Sequence, residues 1–97
     1  MKIKNFYHLN QFILIDWNTT YFQSYNSMIA KYEFIDWNKV LTLGKDRDYS
    51  NTTLKHLYLF LRDIVNYYWV VLNKNIINKA IKDWKLNLIK IIYNENL

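Results

Sequence analysis

His8 and His56 are the only imidazoles in the chain, and there is no cysteine. Proton transfer near neutral pH calls for a group such as His held in place by a partner. His56 and Asp63 are the one such pairing: seven residues apart, they share a face if the segment between them is helical, and Asp63 could then orient the ring. Arg62, adjacent to Asp63, favours a plainer reading in which these residues form a solvated polar face. Ser24, Ser27 and Ser50 lie in no nucleophile-elbow context, and two His with scattered carboxylates make no recognisable metal spacing. A single glycine, Gly44, leaves no Gly-rich phosphate loop. The expectation is a non-catalytic protein that holds no metal or cofactor.

A second set of residues stands out by repetition. Ile-Asp-Trp-Asn occurs at 15–18 and again at 35–38, and Asp83-Trp84 repeats its centre. The residues after the two copies diverge at once, so a solenoid repeat is disfavoured. Asp and Asn in these copies are expected to cap helix boundaries, with each Trp anchoring the corner. Nine Tyr and five Phe invite comparison with a base-stacking platform for single-stranded nucleic acid. Aromatics at helical spacing are more often core or interface, and that is the reading adopted.

The elements that would carry these residues follow from composition. At 97 residues the chain is expected to be one domain, 1–97, with a polar loop at 44–53 dividing it into halves. Gly occurs once and Pro never, which deprives hairpins and bulges of their usual residues and favours long helices. Helical stripes support this: Tyr21, Tyr25, Met28, Ile29 and Tyr32 predict a helix over 20–33, behind a capping-box pattern at Thr20 to Gln23. Leu57, Leu61, Val65 and Leu72 predict one over 54–72, and Ile77, Ala80, Ile81, Trp84, Leu88 and Ile91 one over 76–93, with a break at 73–75. Asp36 would cap a short turn through Leu43 closed by Gly44, and the first segment, 3–15, is read as helix, although Gln11 to Ile15 could equally be a buried strand. The fold class expected is mostly α, three to four amphipathic helices in a small bundle or an extended helical arrangement.

The net charge of +5 rests on eleven Lys and two Arg. Ile, Asn, Lys and Tyr together make 45 of the 97 residues, the bias of A/T-rich codons, so the excess of Lys is a weak signal for nucleic acid. Trp17, Trp37, Trp69 and Trp84 are many for such a genome unless UGA also encodes Trp, as in mitochondria. No run of 18 apolar residues spans a membrane, because 54–72 is broken by Lys55, His56, Arg62, Asp63 and Asn66. Membrane proximity stays open. The N-terminus lacks the apolar stretch of a secretory signal and the Arg- and Ser-rich character of a transit peptide.

In composition, though in no motif, the chain resembles the small accessory proteins encoded in AT-rich mitochondrial genomes, those of ciliates in particular. The resemblance implies a structural subunit of a larger organellar assembly, a respiratory-chain complex and above all the NADH dehydrogenase complex, with other protein subunits as partners. Two alternatives stay open: a mitoribosomal protein touching rRNA through Lys, whose binding would weaken steeply with salt, and a phage- or plasmid-encoded inhibitor of one protein in a bacterial cytoplasm. Apolar surface beyond the needs of one core marks Tyr67, Val70, Leu86 and Ile89 as candidate partner contacts, each pointing away from its helix's main stripe.

Overall fold

The computed structural model describes residues 1–65, 73–86 and 89–97. Its centre is a seven-stranded sheet, not a helical bundle. The strands are β1 (Lys2–Asn5), β2 (Gln11–Asp16), β3 (Thr19–Ser24), β4 (Ser27–Ile35), β5 (Asn38–Leu43), β6 (Lys85–Leu86) and β7 (Ile89–Tyr93), with helices α1 (Asn51–Asp63) and α2 (Lys74–Asp83) between β5 and β6. Spatially the order is β1-β2-β3-β4-β5-β7-β6. The first five strands form an antiparallel meander, and β7 returns parallel to β5 after the helical crossover.

The expected helix over 20–33 is thus replaced by β3 and β4, and the one over 76–93 stops at Asp83 and continues as β6 and β7. The helix over 54–72 is found as α1, which ends at Asp63; the expectation for 66–72 falls outside the described residues. The first segment, read as helix, instead forms β1 and β2, the strand alternative for Gln11 to Ile15 being the one found, and the short turn expected from Asp36 to Leu43 is mostly β5. Of the break expected at 73–75 only Asn73 is non-helical, since Lys74 and Asn75 form the first turn of α2. Asn73 is the N-cap of α2, and its side chain accepts from the Ile76 N–H.

Hairpins form here without glycine because other residues adopt the left-handed backbone. Three two-residue turns join β2 to β5: Trp17-Asn18, Tyr25-Asn26 and Asp36-Trp37, bracketed by the register pairs Asp16↔Thr19, Ser24↔Ser27 and Ile35↔Asn38. Positive φ falls on Trp17 (60°), Tyr25 (54°), Asp36 (49°) and Trp37 (68°). Positive φ at both central residues of Asp36-Trp37 is the geometry of the turn that suits strand twist. Gly44 is needed for a different reason: β4 bulges at Ile29 opposite Phe22/Gln23, and a Cβ at Gly44 would come within 2.9 Å of the Met28 carbonyl oxygen.

One face of the sheet carries Ile13, Phe22, Ala30, Leu41, Leu43, Ile89 and Ile91, all buried with Leu57, Phe60, Leu61, Ile77 and Ala80 of the helices. Phe22 stacks on Phe60 at 5.7 Å between centroids. No helix among the described residues is long and apolar enough to cross a membrane.

Candidate functional site

The imidazoles come together, but not as a catalytic pair. His8, in the β1–β2 turn, and His56, on α1, lie edge to face at 6.1 Å between ring centroids. The His56 ring is buried, and its Nδ1 lies 2.7 Å from the Thr52 carbonyl oxygen, which can only accept, so Nδ1 carries the proton. In His8 the roles are reversed: Nδ1 accepts from the Asn10 N–H at 3.1 Å. Asp63 does not reach His56. Its carboxylate accepts from Arg62 Nε at 2.7 Å and from the Tyr7 hydroxyl, and Arg62 also donates to that hydroxyl at 3.3 Å. The group ties the first turn of the sheet to the last turn of α1.

The Arg62 guanidinium, and after it the Tyr7 hydroxyl, hold the Asp63 carboxyl below its ordinary value of 3.8. A folded-state pKa below the unfolded one gives a contribution that is present above pH 3.8 and is lost as the pH falls through the depressed value. In acid titrations followed by circular dichroism, Asp63→Asn and Tyr7→Phe are both expected to flatten the acid limb of stability below that pH. The change should be small, since the pair is partly exposed.

Beside the imidazoles lies a buried polar strip. Gln11 and Ser24 face one another across β2 and β3, and the Ser24 hydroxyl meets that of Thr53 on α1 at 3.1 Å. Among the described residues neither the amide nitrogen nor the amide oxygen of Gln11 finds a partner, and the residue is fully buried. An unpaired buried amide costs about 1–3 kcal/mol. Gln11→Met is therefore expected to raise unfolding free energy by about 1–2 kcal/mol, read from urea midpoints. No group of three or more His, Asp or Glu placed to hold a metal occurs among the described residues.

The unusual chemistry of the surface is aromatic. Among the described residues six non-glycine positions have positive φ, namely Tyr7, Trp17, Tyr25, Asp36, Trp37 and Trp84, and five of these are aromatic. Trp17 is 96% exposed, Trp37 89% and Trp84 64%. The repeated tetrapeptide is thereby explained. Both copies make hairpin turns, but one residue out of step: Trp17 is the first turn residue of its copy and Trp37 the second. Their tryptophans project into solvent instead of anchoring helix corners. Asp83-Trp84 closes α2, with Trp84 in the left-handed cap position usually given to Gly or Asn.

Strand direction decides where these tips lie. β2 and β4 run the same way, so Trp17 and Trp37 crown the same end of the sheet, two strand spacings or about 10 Å apart across it, with β4 running two residues further than β2 before its turn. Phe34 supports Trp37 edge to face at 6.1 Å. Tyr7 and Tyr25 mark the opposite end.

Of the residues singled out in the sequence as partner contacts, Leu86 and Ile89 belong to β6 and β7 and are buried in the core, because the helix expected to present them ends at Asp83. Tyr67 and Val70 lie outside the described residues. The exposed tips were missed because Trp in a turn breaks the usual residue preference; the signal that could have found them was the pairing of each Trp with Asp and Asn.

Residues 1–80 match a family of unknown function, DUF8033. The chain belongs to the DUF8033 family. The match covers the whole meander, α1 and most of α2, so both tryptophan hairpins lie within the part of the chain that defines DUF8033. No curated protein and no solved structure matches the chain.

Proposed function

We propose that the chain is a non-catalytic accessory protein that binds a protein partner through its aromatic turn tips, Trp17 and Trp37 first among them. The observation that carries this reading is the placement of tryptophan where it is costly twice over. A left-handed backbone costs a side-chain-bearing residue on the order of 1 kcal/mol, and a bare indole leaves a large apolar surface in water. Asn or Gly would make either turn more cheaply, and Asn is abundant in this chain. Costs of this kind collect at functional sites, and Trp is among the residues most enriched at the centres of protein interfaces.

The setting follows the compositional resemblance: a subunit of an organellar assembly, the respiratory NADH dehydrogenase complex foremost, encoded by an AT-rich genome. UGA codons at the Trp positions would support that setting, and UGG at all four would remove its main support.

The test of the binding role compares the wild-type chain with the double variant Trp17→Asn/Trp37→Gly, each purified at native levels from its own cells. One stoichiometric set of proteins should accompany the wild type and be lost with the variant, while the variant keeps the wild-type circular dichroism spectrum. A folded variant that retains the whole set would contradict the proposal, as would a wild-type chain that recovers no stoichiometric companion.

A further inference from the structure

The side of the sheet turned away from the helices is left unused by the turn-tip reading. Register places Ile3, Leu14 and Tyr21 in one row across β1 to β3, and Phe12, Gln23 and Met28 in the next. Ile3 is 64% exposed, and Phe12, Leu14, Tyr21 and Met28 are half-buried. Both helices pack on the opposite side, while on this side Val40 and Thr42 of β5 are already buried, so the patch is confined to β1 to β4. Five large apolar side chains in adjacent rows form a contiguous patch of the kind that marks an interaction site.

We infer that this face pairs with the same face of a second copy of the chain, sheet on sheet, in a two-fold dimer. Charge argues for that occupant. The charged residues on this side are Asp16, Lys31, Glu33, Lys90 and the edge residue Lys85, two acids against three bases, and Lys31 already bridges Glu33 at 3.2 Å. Most of the net +5 therefore lies elsewhere on the molecule, so an anionic partner would be drawn to other surfaces, while a second copy meets little repulsion here. A two-fold axis near this row would also bring each Lys31 towards the other copy's Glu33.

The edges of the sheet argue in the same direction. β1 carries Lys2 and Lys4, and β6 is two residues long and carries Lys85; both devices oppose edge-to-edge strand addition, which leaves the broad face. Strand spacing and rise give the face roughly 450 Å² in projection, so two copies would remove on the order of 1,000 Å² from water, close to the lower bound for a specific interface. Two twisted sheets meeting this way would sit about 10 Å apart. An interface at this lower bound belongs to the weak, reversible class.

Sedimentation equilibrium of the purified chain from about 1 to about 200 μM, a range that brackets micromolar affinity, tests this directly. The expected result is a reversible rise from the 12.0 kDa chain mass to twice that value. Leu14→Lys and, separately, Ile3→Lys should each weaken pairing about tenfold or more, whereas Lys55→Glu, on the exposed side of α1, should leave it unchanged. Ile3 lies on the edge strand and is exposed, so its variant reports on pairing even if Leu14→Lys fails to fold. A mass of 12.0 kDa throughout the range, an assembly larger than a dimer, or a folded Ile3→Lys variant that pairs as tightly as the wild type would each overturn the inference. Neither tryptophan tip is altered in these variants, so their outcome is distinguishable from a failure of the turn-tip proposal.

Discussion

Phe60→Ala is expected to destabilise the protein by about 3–5 kcal/mol, the range for deleting a buried aromatic side chain. Phe60 is fully buried and stacks on Phe22 with ring planes 21° apart, while Phe6 meets Phe22 and Phe60 edge to face at 6.0 and 6.4 Å. These three rings join the β1–β2 turn, the centre of the sheet and α1, so the substitution opens a cavity where three elements meet. Domains of this size hold about 5–15 kcal/mol in total, and the loss would take much of that reserve. Urea unfolding followed by circular dichroism reads the effect. A loss under about 1 kcal/mol would mean that α1 is not docked on the sheet through this ring.

The second large effect is expected on binding. Replacing Trp17 and Trp37 together should weaken partner binding by about 100-fold or more, as is typical when central aromatic anchors are removed, with no loss of fold. The two positions differ in detail. Trp17 is almost wholly in solvent, and Trp17→Asn exchanges a strained residue for one that tolerates positive φ, a gain of up to about 1 kcal/mol. Trp37→Gly gives up the contact with Phe34, worth about 0.5–1.5 kcal/mol, but creates an Asp-Gly turn suited to a hairpin with both central residues at positive φ. The two terms nearly cancel. Binding and stability should therefore separate, which they would not do for a core residue.

How much of this was legible in the sequence varies by segment. Helix α1 was visible because Leu57, Leu61 and Val65 repeat at helical spacing and are all buried, whereas the start of α2 was placed two residues late, because Lys74 and Asn75 read as a break and not as a first turn capped by Asn73. The stripe Tyr21, Tyr25, Met28, Ile29 and Tyr32 misled, since the same stretch contains β-branched and aromatic residues alternating across β3, with Thr20, Phe22 and Ser24 on one side and Thr19, Tyr21 and Gln23 on the other. Two periodicities coexist there, and the scarcity of glycine weighed wrongly towards the helical one. Trp17, Tyr25, Asp36 and Trp37 in the two-residue turns show what was overlooked: aromatics, and an Asx residue at Asp36, can stand in for glycine when the strands on either side pair well. At 76–93 the apolar spacing continues past the helix end, and only the left-handed Trp84 marks where the chain turns back into the sheet.

The measurement that bears most directly on the tryptophan tips is the equilibrium unfolding free energy of Trp17→Asn/Trp37→Gly against wild type. If the indoles are kept for a partner and not for the fold, the double variant should match the wild type or exceed it by up to about 1 kcal/mol. A loss of more than about 1 kcal/mol would contradict this, because it would show that the tryptophans hold the isolated chain together.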